Sequence, residues 1–389
     1  MTAGAQPDDV VTASQQRWRA VRGLLKKRRH EFAAQAAALY QDVPRVEGTD
    51  FLCRPGWVPE VPIALDTLQL HWAATPPALA IAGSSPESEL VRPLTDAGQR
   101  FACYADAVGV LDRPAVFENR LIYRLVGAHL DNRGASRLIF SSGRYFEAIS
   151  VAEALAHEFA AAAREHGQEV GLDRLPLRAA VGDPCDLSRR PASAAITTLT
   201  LRRTRSGEAS FLLHWRDPAK VTHAGGLYQV LPVGIFQPAD DNPASLNHDL
   251  NLWHSMVREY SEELLGEPED YDHLGSPIQY GAWEFYRKLT EARLAGDVRL
   301  WIVGAGVDPL TLVADILAVA VFDAPLFDDV FGNLVAANSE GDVVSDVGTV
   351  GFAFTEGSVG RFSTGHEPMQ AAGAAVLQLA WEHRRSLLG

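Results

Sequence analysis

The chain has 389 residues, 35 Lys and Arg against 49 Asp and Glu, and a formal net charge of −14. A 47% hydrophobic composition is that of a globular protein and excludes disorder over most of the chain. The charge has the wrong sign for a protein whose main task is to neutralise nucleic-acid phosphates, so nucleic acid is set aside as a partner.

Cys53, Cys103 and Cys185 are far apart and form no CxxC, so neither a disulfide framework nor a zinc knuckle is expected. The acidic opening MTAGAQPDDVV has no apolar core, and the most apolar run, residues 309–322, is interrupted by Asp315. The expectation is a soluble cytoplasmic protein with no membrane partner.

In chain order, about the first 15 residues are expected to fray. A helix follows over residues 15–40, with Trp18, Val21, Leu24 or Leu25, Phe32, Ala36 and Leu39 at helical spacing. Its other face carries Arg17, Arg19, Arg22, Lys26, Lys27, Arg28 and Arg29, read as a solvated basic face. Residues 43–93 are rich in Pro, Gly and Ser; ordered loops with short strands are expected, because Phe51, Trp57, Leu68, Leu70 and Trp72 can pack. Strands are predicted within 117–131 and 136–150, and an Ala-rich helix over 151–166. The stretch 182–193 has the punctuation of a domain boundary, giving an N-terminal α+β module over 1–190 and a second domain over 191–389.

In the second half, 194–205 and 208–216 read as a β-hairpin turning at Ser206-Gly207. Residues 225–238 form a strand pair or a strand kinked at Pro232. A helix covers 250–265, a strand 298–309, a buried helix or strand 310–322, a strand 348–355, and a closing helix 368–388. Strands and helices mix without a strict βαβ repeat, which predicts an α+β class.

The helix at 250–265 carries the chemistry. Glu259, Glu262 and Glu263 stand at i, i+3 and i+4, so three carboxylates share a face where like charges repel. Leu250, Trp253, Val257, Tyr260 and Leu264 line another face that can bury. Between residues 232 and 275 there are ten acids against one base, Arg258. Such a patch repels phosphates until a divalent cation binds, and oxygen donors suit Mg²⁺ or Mn²⁺.

The segment Arg258-Glu259-Tyr260-Ser261-Glu262-Glu263-Leu264-Leu265-Gly266 resembles the second half of the Nudix box. Tyr260 fills an apolar slot, and the glycine is displaced by one place. FLLHWR followed by LYQVLPVG resembles the hairpin and Pro-Gly-Gly segment that precede the box, with Pro232-Val233-Gly234 standing for the latter. The resemblance covers roughly residues 194–388. It implies an α/β/α sandwich with a mixed sheet and hydrolysis of a nucleoside diphosphate linked to another moiety. Carried over residue by residue, Glu262 and Glu263 would hold Mg²⁺ or Mn²⁺, and Glu259 would be a further ligand or the base for water. Arg258 would orient Glu259, and the carbonyl of Gly234 would add a ligand. Counting back from Arg258, Leu250 and Ala244 stand where the box has Glu and Gly. Either Asp249 takes the missing Glu's role or that role is lost.

For a pyrophosphate, Arg216, Lys220, Arg202 and Arg203 are the nearby cations, and Tyr228, Trp215 or Trp253 could stack a base. His157-Glu158 lacks a second His, Gly304-Ala305-Gly306 lacks the third glycine of a dinucleotide fingerprint, and no Gly-x-Ser-x-Gly exists. The N-terminal half resembles the module that precedes a divergent Nudix domain in regulator-like proteins, without a readable helix-turn-helix. It could cap the acidic helix, bind a specificity group or form a homodimer. Three readings follow: a metal-dependent hydrolase with a small nucleotide-type substrate, a non-catalytic nucleotide sensor keeping the fold, and a scaffold using the basic helix.

Overall fold

A computed structural model of the chain describes residues 7–131, 134–167, 170–216, 226–267, 277–332, 341–344, 351–364 and 367–389. The first half contains α1 (Pro7–Ala37), β1 (Ile63–Ala64), β2 (Gln69–Trp72), α2 (Tyr104–Leu111), β3 (Leu121–His129), β4 (Arg137–Arg144), α3 (Tyr145–His166) and α4 (Pro176–Val181). Then come β5 (Ala194–Arg203), β6 (Ala209–Phe211), β7 (Leu213–Arg216), β8 (Tyr228–Val230), β9 (Val233–Ile235), α5 (Pro243–His248), α6 (Leu252–Leu265) and α7 (Glu284–Ala295). The chain continues through β10 (Val298–Val307), β11 (Ala314–Asp323), α8 (Ala324–Phe331), β12 (Gly341–Val344), β13 (Phe352–Ala353), α9 (Glu356–Ser363), α10 (Ala371–Glu382) and α11 (Arg384–Leu388). The class is α+β. Among the described residues no helix is long and apolar enough to cross a membrane.

The main sheet runs β1-β10-β11-β5-β6-β13, with β9 also paired to β5. The β5–β11 pair is parallel and the other pairs are antiparallel. Residues 310–322, left open as helix or strand, form a turn and the strand β11. Its residues Ala314 to Phe322 are all buried, as a central strand covered on both faces requires. Ile196, Ile316, Ala318 and Phe322 pack with α6, α7 and α8 in one core. Leu199, Leu201, Leu317, Val319 and Val321 pack with α9 and α10 in another. Helices therefore cover both faces of this sheet. The first core continues across residue 190: Tyr123 N–H donates to Phe236 O (3.0 Å), Leu125 N–H to Ala192 O (3.0 Å), and β1 pairs with β10.

Several boundaries differ from the sequence reading. Helix α1 opens at Pro7, with Asp8 and Asp9 in its first turn complementing the helix dipole. The expected strand over 136–150 stops at Arg144. There Arg144 N–H donates to Glu147 Oε2 (3.0 Å) and Phe146 N–H to Asn119 Oδ1 (2.9 Å), which satisfies first-turn donors and starts α3 six residues early. The hairpin turns at Gly207 (φ 88°) as expected, but its second arm breaks at Leu212. β6 stays in the main sheet, whereas β7 joins β8 and β12 in a small one. Of residues 225–238, the described ones, 226–238, hold a strand pair split between those sheets, with a cis Leu231–Pro232 peptide between β8 and β9.

The basic face of α1 is not wholly solvated. Arg22 and Arg29 are buried, and both donate to buried Glu153 on α3, at 2.6 and 2.9 Å. Arg22 and Lys26 also hold Asp112, at 3.1 and 2.8 Å. These bases clamp α1 to the rest of the fold.

Candidate functional site

Asn251 starts α6: its Oδ1 accepts the Trp253 and His254 N–H groups, at 2.9 and 3.4 Å. Gly266 ends it in the left-handed conformation (φ 70°), where glycine has no Cβ penalty. The glycine that looked displaced is therefore the helix cap. Trp253, Met256, Val257, Tyr260 and Leu264 anchor the helix in the core.

Two carboxylates of this helix turn to β9. Buried Glu263 accepts the Val233 N–H at Oε2 (3.3 Å), taking a donor that an edge strand would otherwise leave open. The Glu259 carboxylate, half-buried, fills the space a β-carbon on Gly234 would occupy. Glu262 is half-buried on the flank. Arg258, buried, donates from Nη2 to Gln237 O (2.6 Å), tying the helix to the segment just past β9.

Gly234 itself pairs with Ile196. The flanking bonds run from Thr198 N–H to Pro232 O (3.0 Å) and from Phe236 N–H to Ala194 O (2.8 Å). Antiparallel ladders alternate, so Ile196–Gly234 is a hydrogen-bonded pair and the Gly234 carbonyl turns toward β5. The carbonyl expected to add a ligand is thus directed at the Ile196 N–H. What Gly234 contributes is the absence of a side chain beneath Glu259.

Asp249, the candidate for the missing box glutamate's role, is engaged elsewhere. It is fully buried, accepts Ala239 N–H at Oδ2 (2.8 Å) and Tyr280 O–H at Oδ1 (2.9 Å), and so pins the connection leading into α6. His254 Nδ1 lies 4.0 Å from Asp249 Oδ1, and the ring stacks on Tyr280 at 3.8 Å. Burial brings the His254 pKa down to about 4, which keeps the imidazole neutral at neutral pH.

The substrate candidates fare unevenly. Tyr228 packs edge-on against Trp215 (4.8 Å) and Phe362 (5.4 Å), in the layer beneath α9, on the far side of the sheet from α6. Trp253 is a core residue whose Nε1–H donates to Thr290 Oγ1 (3.0 Å). Arg202 forms a two-point pair with Asp328 (2.7 and 2.6 Å), and Arg203 faces Asp323 at 3.6 Å. Arg202 lies five residues along β5 from Thr197, the residue opposite Val233, roughly 17 Å at about 3.3 Å per residue. Arg216 is half-buried at the end of β7, its backbone bonded to Leu227 O and Gly226 N–H. Lys220 lies outside the described residues.

Among the described residues no three His, Cys, Asp or Glu side chains gather as a metal-ligand set. What the helix does offer is a pair of carboxylates, Glu259 and Glu263, one turn apart against one backbone segment. That donor set fits Mg²⁺, which is commonly held by one or two carboxylates plus substrate phosphates. A cleft of about 260 Å³ at the start of α6 is lined by Leu65, Leu68, Leu70, Leu252 and Arg293 but by none of the three glutamates. Sequence reasoning missed Gln237, whose carbonyl anchors Arg258, and Thr200, which bonds Tyr260; neither has a sequence signal, because both act through tertiary contacts. Asn251 could have been found, as an Asn directly before the apolar period. No family model matches the chain, and no curated protein matches its sequence.

Proposed function

We propose that this chain is a divergent Nudix-type hydrolase that cleaves the pyrophosphate linkage of a small nucleotide-type substrate with Mg²⁺ or Mn²⁺ bound. One observation carries the reading: Glu259 and Glu263, within REYSEELLG, both face the Val233–Gly234 backbone of the Pro-Val-Gly segment. The sequence resemblance requires that helix and that segment to meet. Helices on both faces of a mixed sheet add support. A bound metal would supply Lewis-acid chemistry, polarising a phosphoryl oxygen and lowering the pKa of the attacking water. Glu259 and Glu263 would hold it and Glu262 would supply a flanking acid, while Arg258 keeps the helix seated on the Gln237 carbonyl. Arg216 is the described cation proposed for the substrate phosphates. The three cysteines are free, which suits a reducing cytoplasm.

A second reading, a nucleotide sensor without turnover, draws on Leu250 standing at the box glutamate position and on Asp249 being engaged elsewhere. Calorimetry and product analysis on a panel of nucleoside diphosphate derivatives with Mg²⁺ or Mn²⁺ separate the two. Binding with metal-dependent cleavage supports the hydrolase. Binding without cleavage supports the sensor, and neither binding nor cleavage removes both.

A further inference from the structure

Tyr260 stands in a slot that the resemblance marks as apolar, yet its hydroxyl is not idle. The ring is fully buried, with Phe322 and Phe331 each 5.5 Å away. Its oxygen lies 2.7 Å from Thr200 Oγ1, and Thr200 Oγ1 lies 2.6 Å from the carbonyl oxygen of Leu231. A carbonyl only accepts, so the single Thr200 hydroxyl proton goes to Leu231; Tyr260 must then donate to Thr200. The chain of bonds is thus directional: Tyr260 O–H to Thr200 O–H to Leu231 C=O. It begins on the residue after Glu259 and ends two residues before Val233.

We propose that Tyr260 is a positioning residue for the site formed by Glu259, Glu263 and the Val233–Gly234 backbone. The inference rests on the functional reading above and adds how that site is held. Helix α6 and β9 belong to different layers and meet at a sheet edge, where β9 is only three residues long. Apolar packing alone is non-directional and would let the helix slide along that edge. A buried hydroxyl relay is directional, and a broken relay leaves a buried polar atom unpaired. Together with the Arg258–Gln237 bond, the relay therefore fixes how far along its axis α6 sits relative to Val233, and with it the reach of both carboxylates. Thr198 N–H, which donates to Pro232 O (3.0 Å), holds the same segment from the backbone side. An aliphatic residue at position 260 would keep the packing but lose this tie to the Leu231–Val233 segment.

The test uses Tyr260→Phe, Thr200→Val and Thr200→Ser in the full chain. Two quantities are read: hydrogen exchange of the backbone amides at 233–235 without metal, and the Mn²⁺ dissociation constant by calorimetry. Tyr260→Phe and Thr200→Val should speed exchange at Val233 and weaken Mn²⁺ binding about 10-fold, the usual effect of losing an outer-shell partner. Thr200→Ser, which keeps the hydroxyl, should restore both. A role confined to stability would lower the unfolding midpoint while the folded protein bound Mn²⁺ as tightly as wild type; that result overturns the proposal alone. Wild-type protein that binds no Mn²⁺ overturns the proposal together with the functional reading.

Discussion

The carboxylate of Glu259 occupies the space that a β-carbon on Gly234 would need. A glycine in a strand weakens it unless something comes close, and here the approaching group is the acid of the facing helix. Gly234→Ala is therefore expected to push Glu259 aside. Overpacking of this kind costs about 1–3 kcal/mol, and a reacting group displaced by about 1 Å costs roughly 100-fold in rate. Unfolding midpoints and turnover measured on the same preparation check both; an alanine variant with unchanged turnover would show that Glu259 need not sit there.

Glu153 is shared by two buried guanidiniums, Arg22 and Arg29. Removing it takes the carboxylate from both and leaves Arg22, among the described residues, only the Asp112 carboxylate, at 3.1 Å. Glu153→Leu is expected to cost about 3–5 kcal/mol, read as a fall in the urea midpoint. A loss below about 1 kcal/mol, the range of exposed ion pairs, would mean the cluster is effectively solvated.

Asp315, buried on β11, accepts the Thr197 hydroxyl at Oδ1 (2.8 Å), and its Oδ2 has no hydrogen-bond partner among the described residues. Burial, with Asp308 nearby, pushes its pKa up to about 7. Between its ordinary value of 3.8 and about 7, the folded chain keeps a proton that the unfolded chain has released. Rising pH then favours unfolding through this group, and below 3.8 it contributes nothing. The melting temperature of Asp315→Asn relative to wild type should rise by about 2–4 °C between pH 5 and pH 8. A difference independent of pH would mean that Asp315 titrates normally.

How much of this was legible in the sequence varies with the range of the interaction. Helix α6, helix α10, strand β10 and the β5–β6 turn follow from local period and turn residues. Helix α7 escaped because its buried set is sparse, Leu289 and Ala292. The burial of Arg22 and Arg29 could not be read because their partner lies 131 and 124 residues away. At the site, the spacing of Glu259, Glu262 and Glu263 was legible, since it is a property of one helix. The turn of the Gly234 carbonyl into the sheet, the engagement of Asp249 with Tyr280, and the Tyr260–Thr200 bond were not, because strand register and layer packing decide them.

In the proposed reaction Glu259 and Glu263 serve a divalent metal in pyrophosphate cleavage. Turnover of a nucleoside diphosphate panel by wild type, Glu259→Gln and Glu263→Gln, each with and without Mn²⁺ or Mg²⁺, tests it most directly. The predicted result is cleavage of at least one member that requires the metal and falls about 100-fold in either variant. Cleavage of no member, or cleavage that survives both substitutions, contradicts the claim.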